Sequence, residues 1–245
     1  MRVLDLFSGI GGFSLGLERA GFTTVAFCEI EPFCRKVLAK HWPNVKQYTD
    51  VRTLTAEQLR ADGISVDVIC GGFPCQPYSA AGKRLGGEDD RALWPEYFRL
   101  IKELRPTWVI GENVVGLITL GLDNVLADLE SVGYATRTFD IPACAVGAPH
   151  ERRRVWIVAN PSEIRFTSQI QCWNDSQGYE KRFPRASLLS VDFDGHGSAE
   201  DSYGVRKGDG FSEWMDRINA CGNAVVPQIP ELIGRAILNA ERKAA

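Results

Sequence analysis

Cys75 has the sequence setting of a reactive nucleophile. It lies between Pro74 and Pro77 in the run GGFPCQPYS, residues 71–79, directly after an apolar segment. Because two prolines and a glycine pair are costly in a plain core strand, we predict a rigid turn that presents the thiol. A nearby cation or helix N-terminus would favour the reactive thiolate. A buried structural thiol is the commoner fate of a cysteine, and the prolines argue against it here.

Glu112 is a candidate proton donor. It begins the run Glu112-Asn113-Val114 at the end of another predicted buried strand. Burial at that position would raise the pKa of the carboxyl group and let it donate a proton. A capping carboxylate is the simpler interpretation of this motif when it is taken alone.

The run DLFSGIGG, residues 5–12, predicts a tight turn between a strand and a helix. Glycines allow a ligand to approach the backbone, and a helix N-terminus offers unpaired N–H groups. The pattern is neither the dinucleotide fingerprint GxGxxG nor the phosphate-binding GxxxxGK[ST]. An isolated glycine cluster of this kind is more often a structural turn than a binding site.

Two carboxylates follow the next predicted strands. Glu29 could accept hydrogen bonds from both hydroxyls of a ribose. Asp50, after Tyr48 and Thr49, could accept one from an adenine amino group. A solvated strand end and an N-cap for the segment that begins at Val51 are the alternatives. Together the two carboxylates indicate an adenosine-type cofactor.

The elements that must position these residues alternate along the chain. Apolar strand patterns alternate with helical patterns, which predicts an α/β fold with a doubly wound, mostly parallel sheet. In such sheets ligands bind at the carboxyl ends of the strands, where all of the residues above fall. The predicted strands cover 2–7, 23–29, 66–70, 107–111 and 155–158, and the helices include 13–20, 97–104, 125–132 and 230–241.

Composition sets broad limits on the protein. The 245 residues are 44% hydrophobic and 24% charged, which is ordinary for a globular protein. A net charge of −3 neither favours nor excludes a nucleic-acid partner. Seven cysteines without a CxxC pair favour a reducing, cytoplasmic setting. No leader, membrane span or metal site is predicted.

Five motifs, in their order along the chain, resemble those of the DNA cytosine-5 methyltransferase family. The resemblance covers roughly residues 1–160 and 218–240, and it is strongest to the phage and prophage branch. Order and spacing make the set far more specific than any single motif. The five are DLFSGIGG (5–12), GGFPCQPYS (71–79), ENV (112–114), GAPHERRR (147–154) and GNAVVP (222–227).

The resemblance implies a sheet of the S-adenosylmethionine-dependent methyltransferase type and a role for each matching residue. Cys75 would attack C6 of a flipped-out cytosine, and Glu112 would contact N3 and N4 of the base. Arg152 and Arg154 match the family's QxRxR motif, in which His150 replaces the usual glutamine. Cofactor-binding residues would be Phe7, Gly9, Gly11, Glu29, Ile30, Asp50, Val51, Pro74, Asn223 and Ala224.

The predicted domains are a catalytic and cofactor-binding domain, residues 1–160 and 218–245, and a small irregular target-recognition region, residues 161–217. The second region holds seven basic and ten acidic residues. Either a few basic residues read the DNA, or the region is curtailed and binds DNA weakly. The candidate readers are Arg165, Lys181, Arg182 and Arg185. We expect a monomer that acts on double-stranded DNA, with no direct contact to any cognate restriction endonuclease.

Three other functions compete with this interpretation. A tRNA cytosine-C5 methyltransferase would use the same cysteine and glutamate. An inactive regulatory homologue that binds DNA would usually lack the nucleophile, which Cys75 supplies here. A dinucleotide oxidoreductase would need the absent GxGxxG pattern.

Overall fold

The computed structural model describes residues 1–74, 93–161, 220 and 222–244. The predicted α/β architecture is confirmed. The inner strands are short and mostly buried, as expected for strands that are covered on both faces, whereas the two edge strands are more exposed. The strands are β1 (Arg2–Leu6), β2 (Thr23–Cys28), β3 (Lys46–Tyr48), β4 (Val68–Gly72), β5 (Trp108–Val114), β6 (Tyr134–Ile141) and β7 (Arg154–Pro161).

These strands form one seven-stranded sheet in the order β3-β2-β1-β4-β5-β7-β6. The pairs from β3 through β5 are parallel, whereas β7 runs antiparallel to both of its neighbours. The carboxyl ends of β1 to β5 therefore lie along one edge of the sheet, as the sequence predicts. β1 lies inside the sheet, with β2 on one side and β4 on the other, so the strand order changes direction beside β1.

Helices connect the strands and cover the sheet. The first helix ends at Gly21, whose φ of 107° is a left-handed conformation that glycine adopts without strain. The second begins with Pro32 in its first turn, as predicted. The helices are α1 (Gly12–Ala20), α2 (Pro32–His41), α3 (Ala56–Ala61), α4 (Trp94–Leu104), α5 (Leu117–Leu120), α6 (Leu122–Ser131) and α7 (Gln228–Ala244).

The core lies between the central strands and the helices. Trp108, Trp156 and Tyr97 are among its largest fully buried side chains. The buried hydroxyl of Tyr97 donates to the carbonyl oxygen of Ile110 at 3.0 Å, so α4 is tied directly to β5. Burial of this apolar surface supplies most of the stability that holds the strand ends in place.

The chain divides into two compact units, Met1–Phe166 with Val225–Ala245, and Thr167–Ala224. Most of the second unit lies outside the described residues, so the target-recognition role of residues 161–217 stays a prediction. Among the helices that the structure describes, none has the length and apolar character needed to cross a membrane.

Candidate active site at the carboxyl edge of the sheet

The glycine-rich turn leads from β1 into α1 through three residues with positive φ. Phe7, Gly9 and Gly11 have φ values of 52°, 53° and 89°. A Cβ atom on Gly11 would lie 2.6 Å from the ring of Trp42, so only glycine fits there. Among the described residues, no atom lies within 4 Å of a Cβ atom placed on Gly9. Gly9 therefore borders open space at the strand edge, where a ligand could approach the backbone.

Glu29 is buried at the end of β2 and faces the glycine turn. Its Oε2 accepts a hydrogen bond from the Gly9 N–H at 2.6 Å, and its Oε1 accepts one from the Glu31 N–H at 2.8 Å. Each carboxylate oxygen keeps a further acceptor site. The side chain of Ile30, next in the chain, is 55% exposed. A fixed carboxylate beside an exposed apolar side chain suits a nucleoside, whose ribose is polar and whose base is flat and apolar.

Asp50 follows β3 and forms an ion pair with Arg52. The Arg52 Nη2 lies 2.7 Å from Oδ2 of Asp50, and its Nε lies 2.9 Å from Oδ1. These bonds lower the pKa of Asp50 and keep the carboxylate ionised. The adjacent Val51 side chain packs in the core.

At the end of β4, two glycines allow unusually close packing. A Cβ atom on Gly71 would lie 2.6 Å from the Leu6 carbonyl oxygen, and one on Gly72 would lie 2.9 Å from Oε2 of Glu112. Beyond them, the amide of Asn113 donates to the carbonyl oxygen of Phe73 at 3.1 Å. The ENV motif thus fixes the start of the predicted Pro-Cys turn. Pro74 is exposed, and Cys75 itself lies outside the described residues.

Glu112 ends the buried part of β5. Burial raises the pKa of its carboxyl group, and the nearby Arg154 and Arg152 only partly offset that effect. The Nε of Arg154 lies 2.9 Å from Oε1 of Glu112. A carboxyl group with a raised pKa beside fixed cations is able to hold a proton and to share it with a buried acceptor.

The three consecutive arginines have different surroundings. Arg154 begins β7 and pairs with Glu112, whereas Arg153 pairs with Asp140 on β6. Arg152 is half-buried, and burial together with repulsion from Arg154 lowers its pKa. The structure thus places Arg152 and Arg154 near Glu112, while His150 is exposed.

A buried carboxyl group behind the glycine turn was missed by the sequence analysis. Asp5 is completely buried on β1, and its Oδ2 accepts hydrogen bonds from the Ser14 hydroxyl at 2.7 Å and the Ser14 N–H at 3.3 Å. Burial raises its pKa to about 7. The signal was available, because a charged residue inside an otherwise apolar strand needs a buried partner.

The segment that leads into α7 packs against α1, directly after the glycine turn. Gly12 and Gly16 of α1 face residues 225–227, and a Cβ atom on Gly16 would clash with the Pro227 carbonyl oxygen. The predicted cofactor residues Asn223 and Ala224 belong to the second compact unit. Their role at the cofactor site therefore stays a prediction.

Comparison with known proteins identifies the family. The family model for C-5 cytosine-specific DNA methylase matches residues 1–191. The chain is 36% identical over 180 residues to the Type II methyltransferase M2.BsuMI of Bacillus subtilis, covering 68% of this chain and 45% of that protein. It is 39% identical over 165 residues to the Type II methyltransferase M.NgoMIV of Neisseria gonorrhoeae, covering 65% of this chain and 52% of that protein.

A solved structure shows a similar fold. It is a prophage-encoded protein of E. coli assigned as a DNA modification methyltransferase, with a TM-score of 0.60 and 28% sequence identity. The match covers 69% of this chain and 50% of that one. The chain thus matches only about half the length of the proteins it resembles.

Proposed function

We propose a function for this chain from the premise that it belongs to the C-5 cytosine-specific DNA methylase family. The chain transfers a methyl group from S-adenosylmethionine to C5 of a cytosine in double-stranded DNA. The observation that carries this proposal is the buried Glu112, with its raised pKa and its 2.9 Å contact to Arg154. It lies at the same sheet edge as the glycine turn and the start of the Pro-Cys turn.

The residues present fit the cofactor. Glu29 is held by two N–H groups with acceptor sites to spare, and Gly9 borders open space. When bound, S-adenosylmethionine supplies a methyl group made electrophilic by its sulfonium centre. Glu29 would accept hydrogen bonds from the ribose hydroxyls, and Asp50 would accept one from the adenine amino group. The other residues proposed to bind the cofactor are Phe7, Gly9, Gly11, Ile30, Val51, Pro74, Asn223 and Ala224.

Cys75 and Glu112 activate the base. Cytosine C5 is a poor nucleophile while the ring is aromatic. The Cys75 thiolate forms a bond to C6, the C5–C6 π electrons move towards C4, and N3 takes a proton from Glu112. C5 is then an enamine carbon able to attack an electrophilic methyl group. After methylation a base removes the C5 proton, the thiolate leaves C6, and the N3 proton returns to Glu112.

This chemistry requires the cytosine to leave the stacked duplex. Flipping a nucleotide costs a few kcal/mol, so the extrahelical base must be held by the protein. Arg154 orients Glu112 through their ion pair. We assign Arg152 and Arg154 to the sugar and phosphate of the flipped nucleotide, because guanidinium groups bind phosphate in a fixed geometry.

Residues 161–217 are proposed as the region that reads the DNA sequence. The region is acidic, so its phosphate contacts should be few. A series of electrophoretic shift assays at increasing salt tests this directly, because the slope of log affinity against log salt reports the number of phosphate contacts. A slope near zero would mean that the region makes no productive phosphate contacts.

Bisulfite sequencing of DNA from a bacterial host that expresses the chain tests the activity. We expect protected cytosines within one short sequence, and none in a host that expresses Cys75→Ser. The variant should still bind S-adenosylmethionine. Methylation of labelled tRNA without any methylation of duplex DNA would overturn the proposed substrate.

A further inference from the structure

Arg99 on α4 forms hydrogen bonds with the main chain that follows β3. Its Nη2 donates to the carbonyl oxygens of Val51 and Leu54, each at 2.9 Å. The side chain is 27% exposed, so these bonds form largely away from solvent. Two hydrogens on one guanidinium nitrogen thus fix two carbonyl groups of the same turn.

Two carboxylates hold the guanidinium group in this position. The Nε of Arg99 lies 2.7 Å from Oε2 of Glu96, and its Nη1 lies 2.7 Å from Oε1 of Glu103. The other oxygen of Glu103 accepts from the N–H of Ala56, the first residue of α3, at 3.0 Å. Burial opposes ionisation of Glu103, yet the Ala56 N–H and Arg99 outweigh it and lower the pKa. Glu103 therefore stays ionised near neutral pH and keeps its ion pair with Arg99.

Asp50 belongs to the same turn, residues 50–54, whose carbonyl groups Arg99 binds. The N–H groups of Thr53 and Leu54 donate to the Asp50 carbonyl oxygen at 3.2 and 3.1 Å. The Asp50 carboxylate is in turn oriented by Arg52 from the same turn. Fixing the Val51 and Leu54 carbonyl groups consequently fixes the direction in which Asp50 leaves the end of β3.

We propose that Arg99 is a positioning residue for recognition of the cofactor's purine ring, acting through the turn of residues 50–54. This rests on the proposed function, in which Asp50 accepts from the adenine amino group. Lysine cannot replace Arg99, because one ammonium group cannot span two carbonyl oxygens and two carboxylates in a plane. A displaced turn would move Asp50 away from the amino group and would leave the chemistry at Glu112 unchanged.

The test compares Arg99→Lys with wild type by titration calorimetry of the full chain with S-adenosylhomocysteine. We expect the dissociation constant to rise about tenfold, since the Asp50 hydrogen bond involves a charged group. The inosine analogue carries a 6-oxo group that cannot donate to Asp50. Its binding should change little, so the preference for adenine over hypoxanthine should fall by the same factor. In methylation assays KM for the cofactor should rise while kcat is retained.

Arg105→Lys is the matched control. Arg105 lies directly after α4, donates a hydrogen bond to the Val132 carbonyl oxygen and lies over the Tyr134 ring. These partners lie just after α6 and at the start of β6, not in the turn of residues 50–54. The Arg105→Lys variant should lose thermal stability without any change in purine preference. If Arg99→Lys behaves in the same way, Arg99 is merely structural and the proposal is overturned.

A second variant covers the case in which Arg99→Lys does not fold. Glu103→Gln keeps an oxygen for Arg99 or for Ala56 but removes the charge, so a smaller loss of purine preference is expected. An unchanged preference in a folded Glu103→Gln variant counts against the proposal. Failure of the wild-type chain to bind S-adenosylhomocysteine overturns the proposed function. Normal binding by wild type with an unchanged purine preference in the variants overturns only the proposal for Arg99, so the two failures are distinguishable.

Discussion

The two halves of the sheet edge hold their carboxylates in different ways. At the ends of β1 and β2, the Glu29 carboxylate accepts hydrogen bonds from two backbone N–H groups. One belongs to Gly9, which follows β1, and the other to Glu31, which follows β2. At the end of β5, Glu112 instead faces Arg154 from an antiparallel strand. Burial raises the pKa of Glu112 despite that arginine.

The difference matches two chemical tasks. A carboxylate that binds ribose hydroxyls needs to be held in a fixed position, and the N–H groups of Gly9 and Glu31 hold Glu29 in this way. A group that lends a proton to a base needs a pKa nearer to neutral, which burial provides. Under the proposed function, the half of the sheet edge that holds Glu29 would bind the cofactor, and the half that holds Glu112 would transfer a proton. Each half can be tested separately.

The largest effect is expected in the base half. Glu112→Gln keeps the shape of the side chain but cannot release a proton to N3, so kcat should fall about 10²- to 10⁴-fold. Radiolabelled methyl transfer measures kcat, and calorimetry with S-adenosylhomocysteine should give an unchanged dissociation constant. A comparable loss of cofactor binding would show that the two halves are not separate.

A smaller effect, on cofactor binding instead of kcat, is expected from Glu29→Gln. Loss of the charged acceptor should weaken cofactor binding about 10- to 100-fold, in line with hydrogen bonds to charged groups. The value of kcat at saturating cofactor should be nearly retained. Glu31→Gln is the control, because Glu31 is exposed and contributes only its N–H group. Equal losses in both variants would contradict the assignment of Glu29.

The smallest effect is expected on the pH dependence of stability, through Asp5 behind the glycine turn. Burial raises the pKa of Asp5 from its ordinary value of 3.8 to about 7 in the folded chain. The unfolded chain therefore releases this proton at lower pH than the folded chain does. Stability from the neutral carboxyl group is complete below pH 3.8 and is lost as the pH rises through about 7.

Urea unfolding of the wild type and of Asp5→Asn at pH 5 to 8 measures this linkage. The wild-type free energy of unfolding should fall by at most about 1.4 kcal/mol per pH unit below pH 7 through this group. The variant should lack that component of the slope. Parallel curves for the two proteins would show that Asp5 does not titrate in this range.

Local patterns in the sequence predict much of the fold and part of the site. Apolar strands of four to seven residues that end at or just before Gly9, Glu29 or Glu112 predict a mostly parallel sheet with its site at one edge, and the structure has that sheet. β6 was not predicted. Its segment Tyr134–Ile141 is half-exposed over most of its length and lacks a clear alternation of apolar residues.

The contacts that join distant segments were not predictable in the same way. The pairing of Arg154 with Glu112 depends on the antiparallel register of β5 and β7, which no local pattern encodes. Arg99 lies within a helical pattern in which an arginine is usually solvated. Only its position opposite Val51 and Leu54 gives it four partners.

The most direct test of the account is a covalent trap with duplex DNA that carries 5-fluorocytosine. Fluorine replaces the C5 proton that must leave, so a protein that bonds to C6 and methylates C5 stays attached to the DNA. With S-adenosylmethionine present, we predict a denaturation-resistant adduct for wild type and none for Cys75→Ser. Absence of the adduct with active, folded wild-type protein would contradict nucleophilic attack by Cys75.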